Sequence, residues 1–117
     1  MSGDPSCAEV NLEEGMPTAA QALKRLAFFV RTKKSLGVRA LKIIHGYGSS
    51  GTGGRIRVEC RGALAAMQKR GEIRFFVPGE QFTIFDEQTQ KLLLACPGLR
   101  RDHDLERHNN GITMVLL

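Results

Sequence analysis

The sequence predicts a single α/β domain, and three observations lead to this prediction. Apolar runs typical of strands alternate with segments whose apolar residues recur every three or four positions. Glycine or proline separates most of these segments. The 117 residues suffice for one two-layer core and are too few for two domains. We therefore place the domain at residues 9–117, after a flexible tail at residues 1–8.

The first half of the chain alternates strand and helix. Thr18 and Gln21 have the spacing of a capping box at a helix start, and Gly37 is placed to end that helix. The β-branched and large apolar residues that follow indicate a largely buried strand. We predict a short strand at Val10 and Leu12, a helix from Thr18 to Leu36, and a strand from Val38 to Ile44.

The second half continues the alternation, with one ambiguous segment. Residues 81–95 favour a helix, although Gln81 to Phe85 alternates like a strand and leaves a hairpin open. The final strand is so apolar that it must be covered on both faces or lie inside the sheet. We predict a helix from about Arg55 to Arg70, strands at Ile73 to Val77 and Ile112 to Leu117, and a polar loop from Gly98 to Asn110.

The candidate functional segment is Leu41 to Arg57, with the sequence LKIIHGYGSSGTGGRIR. In it a buried strand stops at a histidine, and a glycine-rich turn then leads into a basic helix. Glycine lets a ligand approach the backbone closely, and a helix N-terminus offers free amides and a positive dipole end. These features predict a phosphate cradle made of Gly46, Gly48, Gly51, Gly53, Gly54, Arg55, Arg57 and Arg61.

His45 is the candidate catalytic residue of this segment. Imidazole titrates near neutrality, so a histidine at a strand end can move a proton to or from water, a ribose hydroxyl or a leaving oxygen. Arg55 and Arg57 would stabilise negative charge in the transition state, and Tyr47 could stack on a base. The alternative is a structural histidine bonded to a backbone carbonyl.

Two better-known glycine loops fit this segment poorly. Gly46 to Gly51 has the spacing of a dinucleotide-binding loop, but the acidic residue expected after the next strand is replaced by Glu80, beyond a Pro-Gly turn. A Walker loop requires a lysine where Thr52 stands. Neither a nicotinamide or flavin cofactor nor a nucleoside triphosphate is therefore predicted at this loop.

The chain resembles the Smr (small MutS-related) domain. His45-Gly46-Tyr47-Gly48 matches the family's His-Gly-x-Gly motif after an apolar strand, and the ending from Gly111 to Leu117 matches its closing strand with a threonine. The predicted order of elements fits from about Glu9 to the last residue. The first motif departs from the family's Leu-Asp-Leu-His-Gly, because this chain has Val10-Asn11-Leu12-Glu13-Glu14-Gly15.

The resemblance implies a fold, a partner and an activity. The fold is a two-layer α/β sandwich with an approximately four-stranded mixed sheet, similar to the C-terminal domain of translation initiation factor three. The partner is DNA or RNA, which the domain would bind and which it could nick or cleave through the His-Gly-x-Gly loop. Glu13, or Glu14, would supply a carboxylate to His45 or to a divalent metal such as Mg²⁺ or Mn²⁺. The alternatives are a non-catalytic nucleic-acid-binding module and a protein-binding module.

Composition adds weaker expectations about partners and location. A formal net charge of +5 and a pI near 9.5 favour an anionic partner. Three cysteines without Cys-x-x-Cys spacing indicate neither a disulfide framework nor a zinc site, so we expect reduced thiols. A metal site of Cys96, His103 and His108 is not predicted. With no apolar run of the length needed to span a membrane, we expect a cytoplasmic protein.

Overall fold

The computed structural model describes residues 5–46 and 52–117. Within them, strands and helices alternate in the predicted order, which confirms the α/β class. Short 3₁₀ helices occupy Gly79–Gln81 and Pro97–Arg101. The main elements are β1 (Cys7–Asn11), α1 (Ala19–Ser35), β2 (Ala40–Ile44), α2 (Thr52–Lys69), β3 (Phe75–Pro78), α3 (Glu87–Ala95) and β4 (Ile112–Leu116).

The strands form one four-stranded mixed sheet in the order β1-β2-β4-β3. β1 and β2 are parallel, whereas β4 runs antiparallel to both of its neighbours. Every residue of β4 is buried, which confirms that the last strand lies inside the sheet and is covered on both faces. The C-terminal end of β2, where His45 follows, therefore lies beside the start of β4.

Each face of the sheet carries its own apolar cluster. Leu41 and Ile43 of β2 and Val115 of β4 pack with α1 and α2 on the first face. Met114 of β4 and Phe75 of β3 pack with α3 and the segment after it on the second face. The expected two-layer sandwich is not confirmed, since α3 and its flanking segments cover the face opposite α1 and α2.

The start of α1 has the predicted capping box. The Thr18 hydroxyl accepts a hydrogen bond from the Gln21 amide at 3.2 Å, and the Thr18 amide donates to the Gln21 side chain at 2.9 Å. These bonds satisfy two backbone amide groups at the helix start. Gly37, at a φ of +83°, follows the last turn in the left-handed conformation that favours glycine.

The ends of several elements differ from the prediction. β1 starts at Cys7, inside the expected tail, because Cys7 is the register partner of Ala40. The pairing of these two residues sets the first residue of β1 and of β2. Val38, the predicted start of the second strand, therefore lies outside β2. The segment predicted as a helix at 81–95 is helical only from Glu87, where the Asp86 side chain accepts a hydrogen bond from the Thr89 amide. The first four residues of the expected tail lie outside the described residues.

The expectation of reduced thiols is wrong for two of the three cysteines. Cys7 and Cys96 form a disulfide across 89 positions of sequence, joining β1 to the end of α3. Cys7 belongs to the strand face that α3 covers, so the two sulfur atoms meet there. Cys60 remains a free thiol on the buried side of α2, where burial raises its pKa to about 12.

A substitution of Gly79 should test the close approach between the end of β3 and the segment before β4. An added Cβ would lie 1.9 Å from the Asn109 carbonyl oxygen and 2.8 Å from the Ile112 carbonyl oxygen, neither of which can move as a side chain can. Gly79→Ala should therefore lower the free energy of unfolding by about 3 kcal/mol in urea titrations followed by circular dichroism.

Gly62→Ala is the matched control, because a Cβ at Gly62 in α2 meets nothing within 4 Å. It should raise the free energy of unfolding by about 0.5–1 kcal/mol through helix propensity. Equal stability of the two variants would contradict the described packing of Gly79.

Candidate functional site

His45 lies directly after β2, on the face covered by α1 and α2, and is 0% exposed. Its Nδ1 is 2.8 Å from the Gly46 carbonyl oxygen, and its Nε2 is 2.7 Å from the Thr113 hydroxyl. A carbonyl oxygen only accepts hydrogen bonds, so Nδ1 carries the proton and Nε2 accepts from Thr113. Both ring nitrogens are therefore engaged inside the protein.

Arg61 of α2 bonds the same Thr113 hydroxyl as His45 and extends the hydrogen-bonded series to Glu80. Its Nε donates to the Thr113 hydroxyl at 3.1 Å, and its two terminal nitrogens form a bidentate ion pair with Glu80 at 2.8 and 2.9 Å. We call the series Glu80, Arg61, Thr113, His45 and Gly46 the Glu80–Gly46 chain. It connects the end of β3, α2, β4 and the start of the glycine-rich loop.

The charges along the Glu80–Gly46 chain follow from burial and pairing. The pKa of His45 is lowered to about 4, chiefly by burial and also by the positive charges of Arg61 and Arg57, which together outweigh the raising effects of the bond to Gly46 and of Glu80. Burial raises the pKa of Glu80, but the hydrogen bonds from Arg61 outweigh it, and that pKa lies below its ordinary value. His45 is thus neutral at pH 7, beside an ionised Arg61–Glu80 pair.

Glu13, from the segment that replaces the family's first motif, lies next to the His45-Gly46 motif. β1 and β2 are parallel neighbours, and the Leu12 amide continues their pairing by donating to the Ile44 carbonyl at 2.8 Å. Gly46 has a φ of +75°, and a Cβ there would lie 2.0 Å from a carboxylate oxygen of Glu13. The Glu13 carboxylate therefore lies against Gly46 and does not bond either ring nitrogen of His45.

Glu14 helps to hold the turn after β1 through its backbone carbonyl and not through its carboxylate. Its side chain is exposed, whereas its carbonyl accepts a hydrogen bond from the Arg25 guanidinium at 2.5 Å. Arg25 of α1 also donates to the Leu12 carbonyl at 3.4 Å, which ties the turn after β1 to that helix. The turn carrying Glu13 is thus held from two sides, by α1 and by the end of β2.

The predicted phosphate-binding residues separate into three groups. Arg55 and Arg57 lie in the first part of α2 and reach solvent, Arg55 with a 3.3 Å ion pair to Glu59. Arg61 is instead occupied by Glu80 and Thr113. Gly53 and Gly54 lie within α2, and Gly46 starts the loop. The predictions for Tyr47, Gly48 and Gly51 fall outside the described residues.

The start of the loop is also held from β4. The amides of His45 and Gly46 both donate to the Gly111 carbonyl at 3.0 Å. The Gly111 amide donates to the Asn109 side chain at 2.8 Å, and the Asn109 side-chain amide donates to Asp104 at 3.0 Å. The predicted polar loop from Gly98 to Asn110 therefore supports the end of β2 from the second face of the sheet.

Lys42 is the buried cation that binds Asp104, the first residue of this series of hydrogen bonds. It lies in β2 at 4% exposure, with its ammonium 2.9 Å from Asp102 and 2.5 Å from Asp104. Burial lowers the pKa of Lys42, but its bonds to Asp104 and Asp102 outweigh that effect and raise it. Burial raises the pKa of Asp104, but the bonds from Lys42 and Asn109 hold it below its ordinary value.

Metal-type ligands gather at one place in the described part of the chain, namely Asp102, His103 and Asp104. The Lys42 ammonium bonds both carboxylates there and supplies their positive partner. Cys96 is engaged by Cys7, and His108 lies 3.2 Å from the Glu80 carbonyl. The arrangement is thus a buried ion-pair cluster.

Sequence reasoning missed the roles of Thr113 and Glu80. Thr113 is the one hydroxyl in an otherwise apolar strand, and such a group in a buried strand needs a hydrogen-bond partner on its own face. That signal could have connected it to His45, which lies on the same face. Glu80 gave no comparable signal, because only the fold brings it next to Arg61.

Comparison with protein families, with curated proteins and with solved structures found no match. The resemblance to the Smr domain accordingly depends on the motifs at His45-Gly46 and Gly111–Leu117 and on the order of elements. Among the described helices, none has the length and apolarity required to cross a membrane.

The buried neutral state of His45 should make stability depend on pH. Unfolded His45 binds a proton below about pH 6.5, whereas the folded protein resists protonation down to about pH 4. Unfolding therefore takes up a proton in this window, and stability falls as the pH falls. The free energy of unfolding should drop by about 2 kcal/mol from pH 7 to pH 5, measured by urea titration.

His45→Gln should abolish most of this pH dependence, because glutamine can bond Thr113 and Gly46 without titrating. His103→Gln is the control, since that ring is exposed and the Glu80–Gly46 chain does not include it. An identical loss of stability between pH 7 and pH 5 in the wild type and in His45→Gln would contradict the assignment.

Proposed function

We propose that the protein is an Smr-like domain that binds the phosphodiester backbone of DNA or RNA. The observation that carries the proposal is the meeting of three features at one end of the sheet. These are the fixed backbone at Gly46, the start of the 18-residue helix α2, and the side chains of Arg55 and Arg57. Helix amides and the dipole attract phosphate, and arginine binds it with two parallel hydrogen bonds.

His45 serves binding in this proposal by holding the loop. A group with both ring nitrogens bonded and a pKa of about 4 accepts no proton from a substrate at neutral pH. It does fix the direction of the Gly46 carbonyl and, through Thr113, the distance between the loop and α2. The geometry therefore favours a non-catalytic nucleic-acid-binding module over a histidine-dependent nuclease.

Cleavage is a second candidate with one observation in its favour. The Glu13 carboxylate lies against Gly46, where a bound phosphodiester would pass. A carboxylate there is suited to accept a proton from an attacking hydroxyl or to hold Mg²⁺ or Mn²⁺. In this version Glu13 carries the chemistry and His45 holds the loop.

The binding proposal predicts a large, salt-dependent effect of two arginines. Arg55→Ala/Arg57→Ala should weaken binding to labelled RNA and DNA oligonucleotides about tenfold at low salt, measured by fluorescence anisotropy. Because two phosphate contacts are lost, the slope of log K against log salt should become shallower by about 1.5.

Arg100→Ala/Arg101→Ala is the matched control, with the same change in charge at two exposed residues in the 3₁₀ helix after α3. It should leave the salt slope nearly unchanged. Equal effects of the two double variants would show that binding depends on net charge and not on the end of α2, and would contradict the proposal.

The cleavage candidate predicts a requirement for Glu13. Supercoiled plasmid and structured RNA, incubated with Mg²⁺, Mn²⁺ or chelator, should be cleaved by the wild type and about 100-fold more slowly by Glu13→Gln. Glu14→Gln, at the exposed neighbouring carboxylate, should retain activity. Binding without cleavage by the wild type would reject this candidate and leave the binding module intact.

A further inference from the structure

Two adjoining cavities lie at the end of the sheet opposite His45. The first, of about 380 Å³, lies between α1 and the end of α2; its apolar wall is Ala27, Val30 and Met67, and Arg31, Lys34, Ser35 and Glu72 complete its lining. The second, of about 420 Å³, lies where β2 begins and β4 ends, and Lys34, Arg39 and Arg74 contribute its charges. Lys34 lines both cavities, so the apolar and the cationic spaces adjoin each other.

Two of the three cations of the second cavity, Arg39 and Arg74, form no side-chain ion pair within residues 5–46 and 52–117, whereas Lys34 lies close enough to the Glu72 carboxylate to lower its pKa. The Lys34 ammonium donates to the backbone carbonyl of Glu72 at 2.8 Å. The Glu72 carboxylate is paired with Arg70. Two guanidinium groups without a carboxylate partner thus line one groove beside Lys34, and a bound anion would supply the missing negative charge.

The strands keep these cations together. The Arg74 amide donates to the Leu116 carbonyl at 2.8 Å, and the Leu117 amide donates to the Arg39 carbonyl at 2.8 Å. Arg39 and Arg74 are therefore fixed by their backbones on either side of the end of β4. Lys34 approaches from the last turn of α1, so three separate elements present charge to one groove.

The chemistry of the two cavities together defines a ligand class. Each volume lies in the range of about 300–1,000 Å³ that is typical of small-molecule sites. Guanidinium groups match the geometry of phosphate oxygens, and an apolar wall suits an aromatic or aliphatic group. We propose that the cavities bind a small phosphorylated molecule, with its phosphate between Lys34, Arg39 and Arg74 and its apolar body against Ala27, Val30 and Met67.

Two sources share this chemistry, a nucleotide and a lipid phosphate with one short acyl chain. The experiment uses ADP, a short-chain lysophosphatidate below its micelle concentration, and pyrophosphate. Each probe is titrated into ¹⁵N-labelled protein, and amide shifts are followed at Lys34, Gly37, Arg39 and Arg74. Binding of ADP or of the lysophosphatidate that is tighter than that of pyrophosphate supports the proposal and identifies the source.

Variants separate the two halves of the site. Arg39→Ala/Arg74→Ala should weaken all probes about tenfold, whereas Arg100→Ala/Arg101→Ala should not. Ala27→Gln, which places a polar side chain in the apolar cavity, should weaken ADP or lysophosphatidate and spare pyrophosphate. Urea titration of each variant separates loss of binding from loss of folding.

Three results would overturn the proposal. The first is the absence of shifts with all probes. The second is equal affinity for pyrophosphate and both larger probes, which would leave a bare anion site without a role for the apolar cavity. The third is equal weakening by the two arginine pairs. None of these results bears on nucleic-acid binding at Arg55 and Arg57, which lie at the other end of the sheet.

Discussion

The bidentate pair between Arg61 and Glu80 is the constraint on which the candidate site depends. Through Thr113 it orders the hydroxyl that donates to His45, and through His45 it fixes the Gly46 carbonyl. Thr113 and His45 are both 0% exposed, so removing one member leaves a buried polar group without its partner. Such a group costs about 1–3 kcal/mol, more than the net gain from most single hydrogen bonds.

A second polar cluster holds the same place from the opposite face. Lys42 fixes Asp104, Asp104 fixes Asn109, and Asn109 orients the Gly111 amide. The Gly111 carbonyl then accepts from the amides of His45 and Gly46. The first residues of the glycine-rich loop are thus restrained from both sides of the sheet. These residues are therefore held rigidly, because a shift toward either face would break an ion pair, the buried one of Lys42 and Asp104 or the partly exposed one of Arg61 and Glu80.

The parts of the fold that could be predicted are those encoded by neighbours in sequence. The capping box at Thr18 and Gln21 and the buried final strand are local patterns, and both are present. The Cys7–Cys96 disulfide and the Arg61–Glu80 pair join residues that only the assembled sheet brings together, and cysteine spacing carries no information about such a pairing. The sequence from 81 to 95 is ambiguous because its apolar residues fit both the helical and the strand period. In the structure Asp86 caps a helix that begins at Glu87, so only the second part of the segment is helical.

The distribution of charge explains why net charge was a weak guide to the site. Several of the cations behind the formal +5 are neutralised by carboxylates, among them Lys42 by Asp102 and Asp104, and Arg61 by Glu80. The positive potential that reaches solvent depends on the cations left over. In the described part of the chain these include Arg57 in the first part of α2 and, at the opposite end of the sheet, Arg39 and Arg74. Because the Debye length is about 8 Å at physiological salt, charges at opposite ends of a molecule about 30 Å across act almost independently. The two proposed binding surfaces therefore act separately, so that the nucleic-acid backbone proposed for the helix start and the small phosphate proposed for the groove would not compete electrostatically.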